Sequence, residues 1–333
     1  MLIGLAPNAD LSRELSKFIS RRLIESLDYV LAAAGDALHI DKQQHRDWIA
    51  NLRDRRAAPK THALFHQLVA EIESDDLAGA GMTVDRLFGE DPVASPVIRF
   101  PRFDEGSLGK ATPELFTRFV DLEEDNRLDL IAATPQNVAR LEQSWAAALP
   151  MIAENDPELA GELSALVSEF YVAGQADSHR LELGAVSCFE IWGGIFINPA
   201  VLRDPLDLVG MVAHECTHFL LFGFAVDEAL VLNPPDQKYY SALRDEMRSM
   251  DGIYHATLVS ARMSAAMHRQ RDSGKLDSAL EKLAGQRITS ARAYYARGLQ
   301  EIREFGRLTE PGEALLEEAG HMLAPAVTVS AVA

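Results

Sequence analysis

The chain has 333 residues, enough for one large domain or two ordinary ones, and is 47% hydrophobic and 25% charged, as soluble globular proteins are. Its net charge of −18 repels phosphate backbones, so we expect no nucleic-acid partner. Two cysteines, Cys188 and Cys216, make no disulfide framework and fit a reducing compartment. We find no signal peptide and no apolar run of membrane-spanning length, so we expect a cytoplasmic protein without membrane contact.

The N-terminal half is predicted to be helical. Apolar residues recur at helical spacing, and capping residues and prolines mark where helices begin. The predicted helices span 10–34, 41–53, 60–74, 113–132, 135–154 and 157–172. Residues 75–112 are rich in glycine and proline, which predicts loops with a short strand around Val97–Phe100.

From Leu183 the composition shifts towards β-branched and aromatic residues. Leu183–Trp192 and Ile195–Ile197 flank Gly193-Gly194, a pattern typical of a β-hairpin. Ile195–Ile197 could offer a strand edge to a bound peptide, but we favour buried core for it. After a loop at 224–238, the pattern predicts helices over 239–249, 252–271, 276–304 and 311–322.

One predicted helix begins with Asp204 as its N-cap and Pro205 as its first residue, and Gly223 lies where a C-cap belongs. It carries the HExxH sequence 214–218. Positions i and i+4 differ by about 40° around a helix, so His214 and His218 face the same way.

The rest of this helix is apolar nearly all round, which predicts that it is buried. Ionisable groups buried there are costly without partners, and a metal ion supplies one. We therefore predict that His214 and His218 bind a metal, with Glu215 beside them. The alternative is a hydrogen-bonded polar cluster without a metal.

A third protein ligand is needed. Leu221 and Phe224 stand where the metzincin pattern requires Gly and His, which excludes that pattern. The remaining candidates are Glu228, Glu246 and His255.

We favour His255, one turn into a helix predicted to start near Asp251-Gly252. Arg262 is seven residues further on, about 20° from the same face, and long helical side chains lean back towards the N-terminus. A metal-bound histidine and an arginine on one face could hold a small acid by both ends. The alternative for Arg262 is an ion pair with one of the many acidic residues.

Two segments resemble the HEXXH-motif peptide-modification family, whose members are found beside ribosomally synthesised and post-translationally modified peptides. The first is VAHECTHFLL, preceded by a short strand and Asn198-Pro199, and the second is SALRDEMRSMDGIYHATLVSARM. The resemblance covers about residues 185–265. The prolines usual around the second arginine are replaced by Met247 and Ser249. The positions that match are Arg244, Arg248, Gly252, His255, Ala261 and Arg262.

This resemblance implies a non-haem Fe(II)- and 2-oxoglutarate-dependent hydroxylase of a side-chain β-carbon in a precursor peptide. The metal ligands would be His214, His218 and His255. The far carboxylate of 2-oxoglutarate needs a cation, for which Arg262 is the first choice, Arg248 the second and Arg244 a further candidate.

The HExxH sequence alone favours a different enzyme, a zinc metallopeptidase in which Glu215 is the general base. In the hydroxylase, Glu215 would instead orient a ligand or the substrate. A peptide-binding protein with a structural metal is a weaker third possibility, because structural zinc sites are usually rich in cysteine.

We therefore expect a mainly α fold with a small β-hairpin or sheet (α+β) and a metal site on a buried central helix. The chain would comprise a helical N-terminal region, 1–174, a metal-binding HExxH region, 175–324, and a flexible tail, 325–333.

Overall fold

The computed structural model describes residues 3–120, 127–176, 183–241 and 245–324. As predicted, the fold is mainly α with small β-sheets. Among the described residues, no helix combines the length and the apolar character that crossing a membrane requires.

The chain divides into two compact units. The sheet unit comprises Ala9–Leu149 and Ala160–Leu208, and the histidine unit comprises Met1–Asn8, Pro150–Leu159 and Val209–Ala333. The boundary predicted between residues 174 and 175 falls inside a strand, because the change of composition there marks the sheet and not the edge of a unit. The predicted tail, 325–333, lies outside the described residues.

The helices of the sheet unit largely follow the apolar periodicity of the sequence. They are α1 (Ala9–Ala33), α2 (Lys42–Leu52), α3 (Pro59–Glu73), α4 (Leu77–Gly89), α5 (Glu105–Leu108), α6 (Thr112–Val120), α7 (Pro135–Asn155) and α8 (Pro157–Leu166), the last two with residues in both units. Helix α4 was predicted as a loop on its glycines. Its Asp76 N-cap accepts a hydrogen bond from the Gly79 N–H at 2.9 Å, and one apolar face is buried, which outweighs the low helix propensity of glycine.

This unit also contains a four-stranded sheet. Its strands are β1 (Leu130–Ala132), β2 (Glu169–Gln175), β3 (Ala185–Val186) and β4 (Gly194–Ile197), in the order β1-β2-β4-β3. Strand β2 is parallel to β4, and the other two pairings are antiparallel. The prediction that 130–132 and 169–172 are helical was wrong, because short apolar runs do not distinguish a buried strand from a helix.

Strand β4 lies between two neighbours, and Ile195, Phe196 and Ile197 are each 0% exposed. The interpretation of these residues as core is confirmed, and they offer no strand edge to a peptide. The predicted hairpin is present only as the pairing of β3 with β4, because residues 189–191 form a 3-10 turn. Around 97–100 only an isolated bridge forms, from Arg99 to Glu169.

The histidine unit contains most of α9 (Pro205–Phe224), then α10 (Met250–Asp272), α11 (Ser278–Phe305) and α12 (Glu310–Leu323). Strands β5 (Lys238–Ser241) and β6 (Glu246–Ser249) form an antiparallel hairpin before α10. The prediction of a helix over 239–249 was therefore wrong. Its residues have fair helix propensity, but pairing between the two strands overrides that preference.

Candidate metal centre

Helix α9 begins where its sequence signals predict. The Asp204 carboxylate accepts a hydrogen bond from the Leu206 N–H at 2.9 Å, and Pro205 is the first helical residue. The Asp207 carboxylate accepts from the backbone N–H groups of Arg203 and Asp204, which completes a reciprocal cap. The helix runs one residue past Gly223, so the predicted glycine cap was wrong.

Helices α9 and α10 lie side by side in opposite directions. His218 contacts His255, whereas a Cβ atom added to Gly210 would lie 3.6 Å from Met263 Cε and 3.8 Å from Met267 Cε. Residues late in α9 therefore contact residues early in α10, and residues early in α9 contact residues late in α10. The first turns of α10 therefore face the HExxH segment.

His214 and His218 approach each other closely through the same ring nitrogen. Their Nε2 atoms are 3.1 Å apart, and their ring centroids are 4.9 Å apart. Two imidazole nitrogens bound to one ion at about 2.0–2.1 Å are separated by about 2.9–3.4 Å in tetrahedral or octahedral geometry. The pair therefore fits two ligands of one metal ion.

His255 contacts the other nitrogen of His218. The two Nδ1 atoms are 3.2 Å apart, and the nearly parallel rings have centroids 5.5 Å apart. His255 Nε2 is 3.9 Å from Asp251 Oδ2. Burial lowers the pKa of His255, Arg248 lowers it further, and Asp251 opposes both. The imidazole is consequently neutral at neutral pH.

Glu215 lies beside the histidine pair. Its side chain is almost fully buried, and its Oε1 atom is 3.9 Å from His214 Nε2. A carboxylate at this distance can orient a bound group or accept a proton from water held next to the pair.

Within the described ranges, no group of three or more His, Cys, Asp or Glu side chains is arranged to hold a metal ion. The geometry of His218 explains why the three histidines cannot all bind one ion. One ion can bind only one nitrogen of an imidazole, and His214 and His255 contact opposite nitrogens of this ring. The residues therefore fit a metal as a two-histidine pair, with no third protein ligand in place among the residues that the structure describes.

The other candidate ligands lie elsewhere. Glu228 is exposed in the loop after α9, and Glu246 is on β6 with its Oε1 atom 3.5 Å from Arg248 Nε. Cys216 is fully buried, as expected for a packed residue between the two histidines.

Of the three candidate arginines for binding 2-oxoglutarate, the structure describes Arg262 and Arg248, and their environments differ. Arg262 is only 1% exposed, and its positive charge lowers the pKa of Asp156, which burial raises overall. Arg248 is on β6 just before α10, its guanidinium lies over Gly252, and its charge acts on His255. The third candidate, Arg244, lies outside the described residues.

Asp251 is the residue of this cluster that the sequence analysis missed. It is four residues before His255 and therefore on the same helix face. The spacing of four residues on one helix is the sequence signal that could have identified it.

No protein-family model matches the chain, and no curated protein matches it. The resemblance of the two histidine segments to a peptide-modifying family therefore stays a prediction.

Proposed function

We propose that this protein is a metal-dependent peptide-modifying enzyme, specifically a Fe(II)- and 2-oxoglutarate-dependent hydroxylase of a ribosomally made precursor peptide. The observation that supports a metal is the 3.1 Å separation of His214 Nε2 and His218 Nε2. The choice of reaction comes from the resemblance of the two segments. Iron bound there would supply the redox chemistry that couples 2-oxoglutarate decarboxylation to hydroxylation.

The surroundings of the pair suit an acidic co-substrate. His214 is about one-third exposed, so a small molecule can approach the open side of the pair. Arg248 is partly exposed and its field reaches His255, so its guanidinium can bind the far carboxylate of 2-oxoglutarate. Arg262 is too deeply buried to meet a ligand from solvent without rearrangement. Arg248 therefore becomes our first choice for the anchor.

A zinc metallopeptidase is the second candidate. The observation that favours it is the buried Glu215 carboxylate, 3.9 Å from His214 Nε2. In such an enzyme Glu215 would act as general base towards the attacking water, and no arginine would be required. The hydroxylase differs because it consumes 2-oxoglutarate and needs a cation to hold it.

Metal binding is tested by elemental analysis of protein purified without oxygen. His214→Ala and His218→Ala should each abolish binding, because each removes one of the two Nε2 atoms that lie 3.1 Å apart. His321→Ala, at an exposed histidine in the same unit, is the matched control and should retain metal. Full occupancy in either ligand variant would refute the proposed site.

The reaction class is tested by calorimetric titration of 2-oxoglutarate into the Mn(II)-loaded protein. Arg248→Ala should weaken binding by about 10- to 100-fold, as expected for loss of a charge-assisted pair. Arg303→Ala, at an exposed arginine, should bind as the wild type does. If Arg262→Ala weakened 2-oxoglutarate binding and Arg248→Ala did not, the cation that binds the far carboxylate would be Arg262. Wild-type protein that binds metal but no 2-oxoglutarate would contradict the hydroxylase and favour the peptidase.

A further inference from the structure

The three imidazoles form a chain, not a ring around one point. His218 is its centre, with Nε2 facing His214 at 3.1 Å and Nδ1 facing His255 at 3.2 Å. The chain continues from His255 Nε2 to the Asp251 carboxylate at 3.9 Å. The order is therefore Asp251, His255, His218 and His214.

We propose that His255 is a positioning residue for His218 and not the third metal ligand. Its Nδ1 accepts the Nδ1 proton of His218, which leaves His218 Nε2 without a proton on the side of His214. The inference rests on the proposed function only in taking the His214–His218 pair as the place where a metal binds.

The proton on each ring follows from the contacts. A neutral imidazole carries one N–H, so across the Nδ1–Nδ1 contact either His218 or His255 donates. If His255 donated, the proton of His218 would be on Nε2 and would have to leave that atom before a metal could bind there. The Asp251 carboxylate faces His255 Nε2 and favours a proton on that atom. His255 Nδ1 is then an acceptor, and His218 must be the donor.

The neighbouring aromatic ring holds this arrangement in place. Phe222 stacks on His218 with centroids 5.8 Å apart and contacts His255 with centroids 5.5 Å apart. His255 itself is only 8% exposed. A ring packed on its face and hydrogen-bonded at its edge has a fixed direction, and ligand histidines are commonly held in this way through the nitrogen that does not bind the metal.

The first experiment reads the proton positions directly in metal-free protein, by ¹⁵N nuclear magnetic resonance of the histidine rings at neutral pH. We expect the Nδ1–H form for His218 and the Nε2–H form for His255. Asp251→Asn should reduce the preference of His255 for the Nε2–H form. Observation of the Nε2–H form for His218 in the wild type would overturn the proposal, whether or not the protein binds metal.

The second experiment compares Zn²⁺ affinities of His255→Ala and His255→Asn by competition with a chromophoric chelator. Alanine removes the acceptor, and affinity should fall about 10- to 100-fold, as is usual when an outer partner of a ligand is lost. The Oδ1 atom of asparagine takes the place of Nδ1, so His255→Asn should stay within about threefold of the wild type. Circular dichroism confirms that both variants are folded.

A ligand role for His255 would give the opposite pattern. Alanine and asparagine would then weaken Zn²⁺ binding equally, since an asparagine amide is a poor substitute for a zinc-bound imidazole. Proton resonances of the Co²⁺-loaded wild type independently count the histidines bound to the metal, because each bound imidazole contributes one shifted, exchangeable N–H signal. Two signals support the proposal and three overturn it. Wild-type protein that binds neither ion would instead refute the proposed function.

Discussion

Helices α10 and α11 pack tightly against each other at Gly298, and filling the space at this glycine should destabilise the protein. A Cβ atom at Gly298 would lie 2.0 Å from Thr257 Oγ1 and 3.1 Å from Thr257 Cβ. Rotation of Thr257 moves its Oγ1 but leaves its Cβ in place, so the helices must separate. Overpacking costs about 1–3 kcal/mol. Replacing a helical glycine by alanine gains about 1 kcal/mol. Gly298→Ala should therefore lower the free energy of unfolding by about 0–2 kcal/mol.

The matched control lies on the same helix. A Cβ atom at Gly285 would meet nothing within 4 Å, so Gly285→Ala should raise the free energy of unfolding by about 1 kcal/mol. Thr257→Ala removes Oγ1 but keeps the Cβ atom at 3.1 Å, so it should relieve only part of the clash and give a favourable coupling of about 1 kcal/mol with Gly298→Ala in a double-mutant cycle. Urea unfolding of the wild type, the two single variants and the double variant measures this coupling, and the same assay on Gly285→Ala measures the control. Equal stabilisation by the two glycine substitutions would refute the reasoning.

Two further stability predictions concern a buried histidine and a helix cap. Burial lowers the pKa of His62 to about 3, helped by His66 and Arg56. In the unfolded chain the pKa of this histidine is about 6.5, so the unfolded state binds more protons than the folded state as pH falls. The free energy of unfolding of the wild type should therefore decrease by about 2 kcal/mol between pH 7.5 and 5.0 because of this residue. In urea unfolding, the free energy of unfolding of His62→Gln should fall less over this pH range than that of the wild type. The exposed control His39→Gln should behave as the wild type does. A pH dependence of stability that is the same in His62→Gln and the wild type would contradict the prediction. Asp277→Ala removes the carboxylate that caps α11 and should lower the melting temperature through a loss of about 1 kcal/mol, whereas Asp277→Ser should retain most of the stability.

The features that the sequence predicts well are local ones. The Asp204 cap, the proline at position 205 and the apolar run after them define α9 without reference to the rest of the chain. The approach of His214 to His218 likewise follows from a spacing of four residues on one helix. His255 was predicted to be the third metal ligand, from the second segment that resembles the family; the structure shows that it contacts His218 and does not test the ligand role.

The features that the sequence could not predict depend on partners distant in the chain. Helical periodicity gives the direction of His255 around α10, but the nitrogen that meets His218 depends on how α9 packs against α10. The strands β5 and β6 illustrate the same limit, because pairing between neighbouring strands decides their structure against local preference.

Arg262 shows that sharing a helix face with a site differs from belonging to it. The separation of seven positions from His255 to Arg262 corresponds to about 10 Å along the axis of α10. At that distance the charge of Arg262 acts on Asp156, in the Pro150–Leu159 segment of the same unit. Arg269 binds the same carboxylate at 3.0 Å.

Helix α10 therefore has two parts with different surroundings. Its first turns carry His255 and Asp251 and lie beside Arg248, where binding of a metal and an acid is proposed. Its later turns surround the buried Asp156 carboxylate with arginine charge. A buried guanidinium is stabilised by a nearby carboxylate, and removing Arg262 takes away part of the positive charge around Asp156, although Arg269 still binds that carboxylate. Loss of Arg262 should consequently reduce stability more than ligand affinity, and loss of Arg248 should do the reverse.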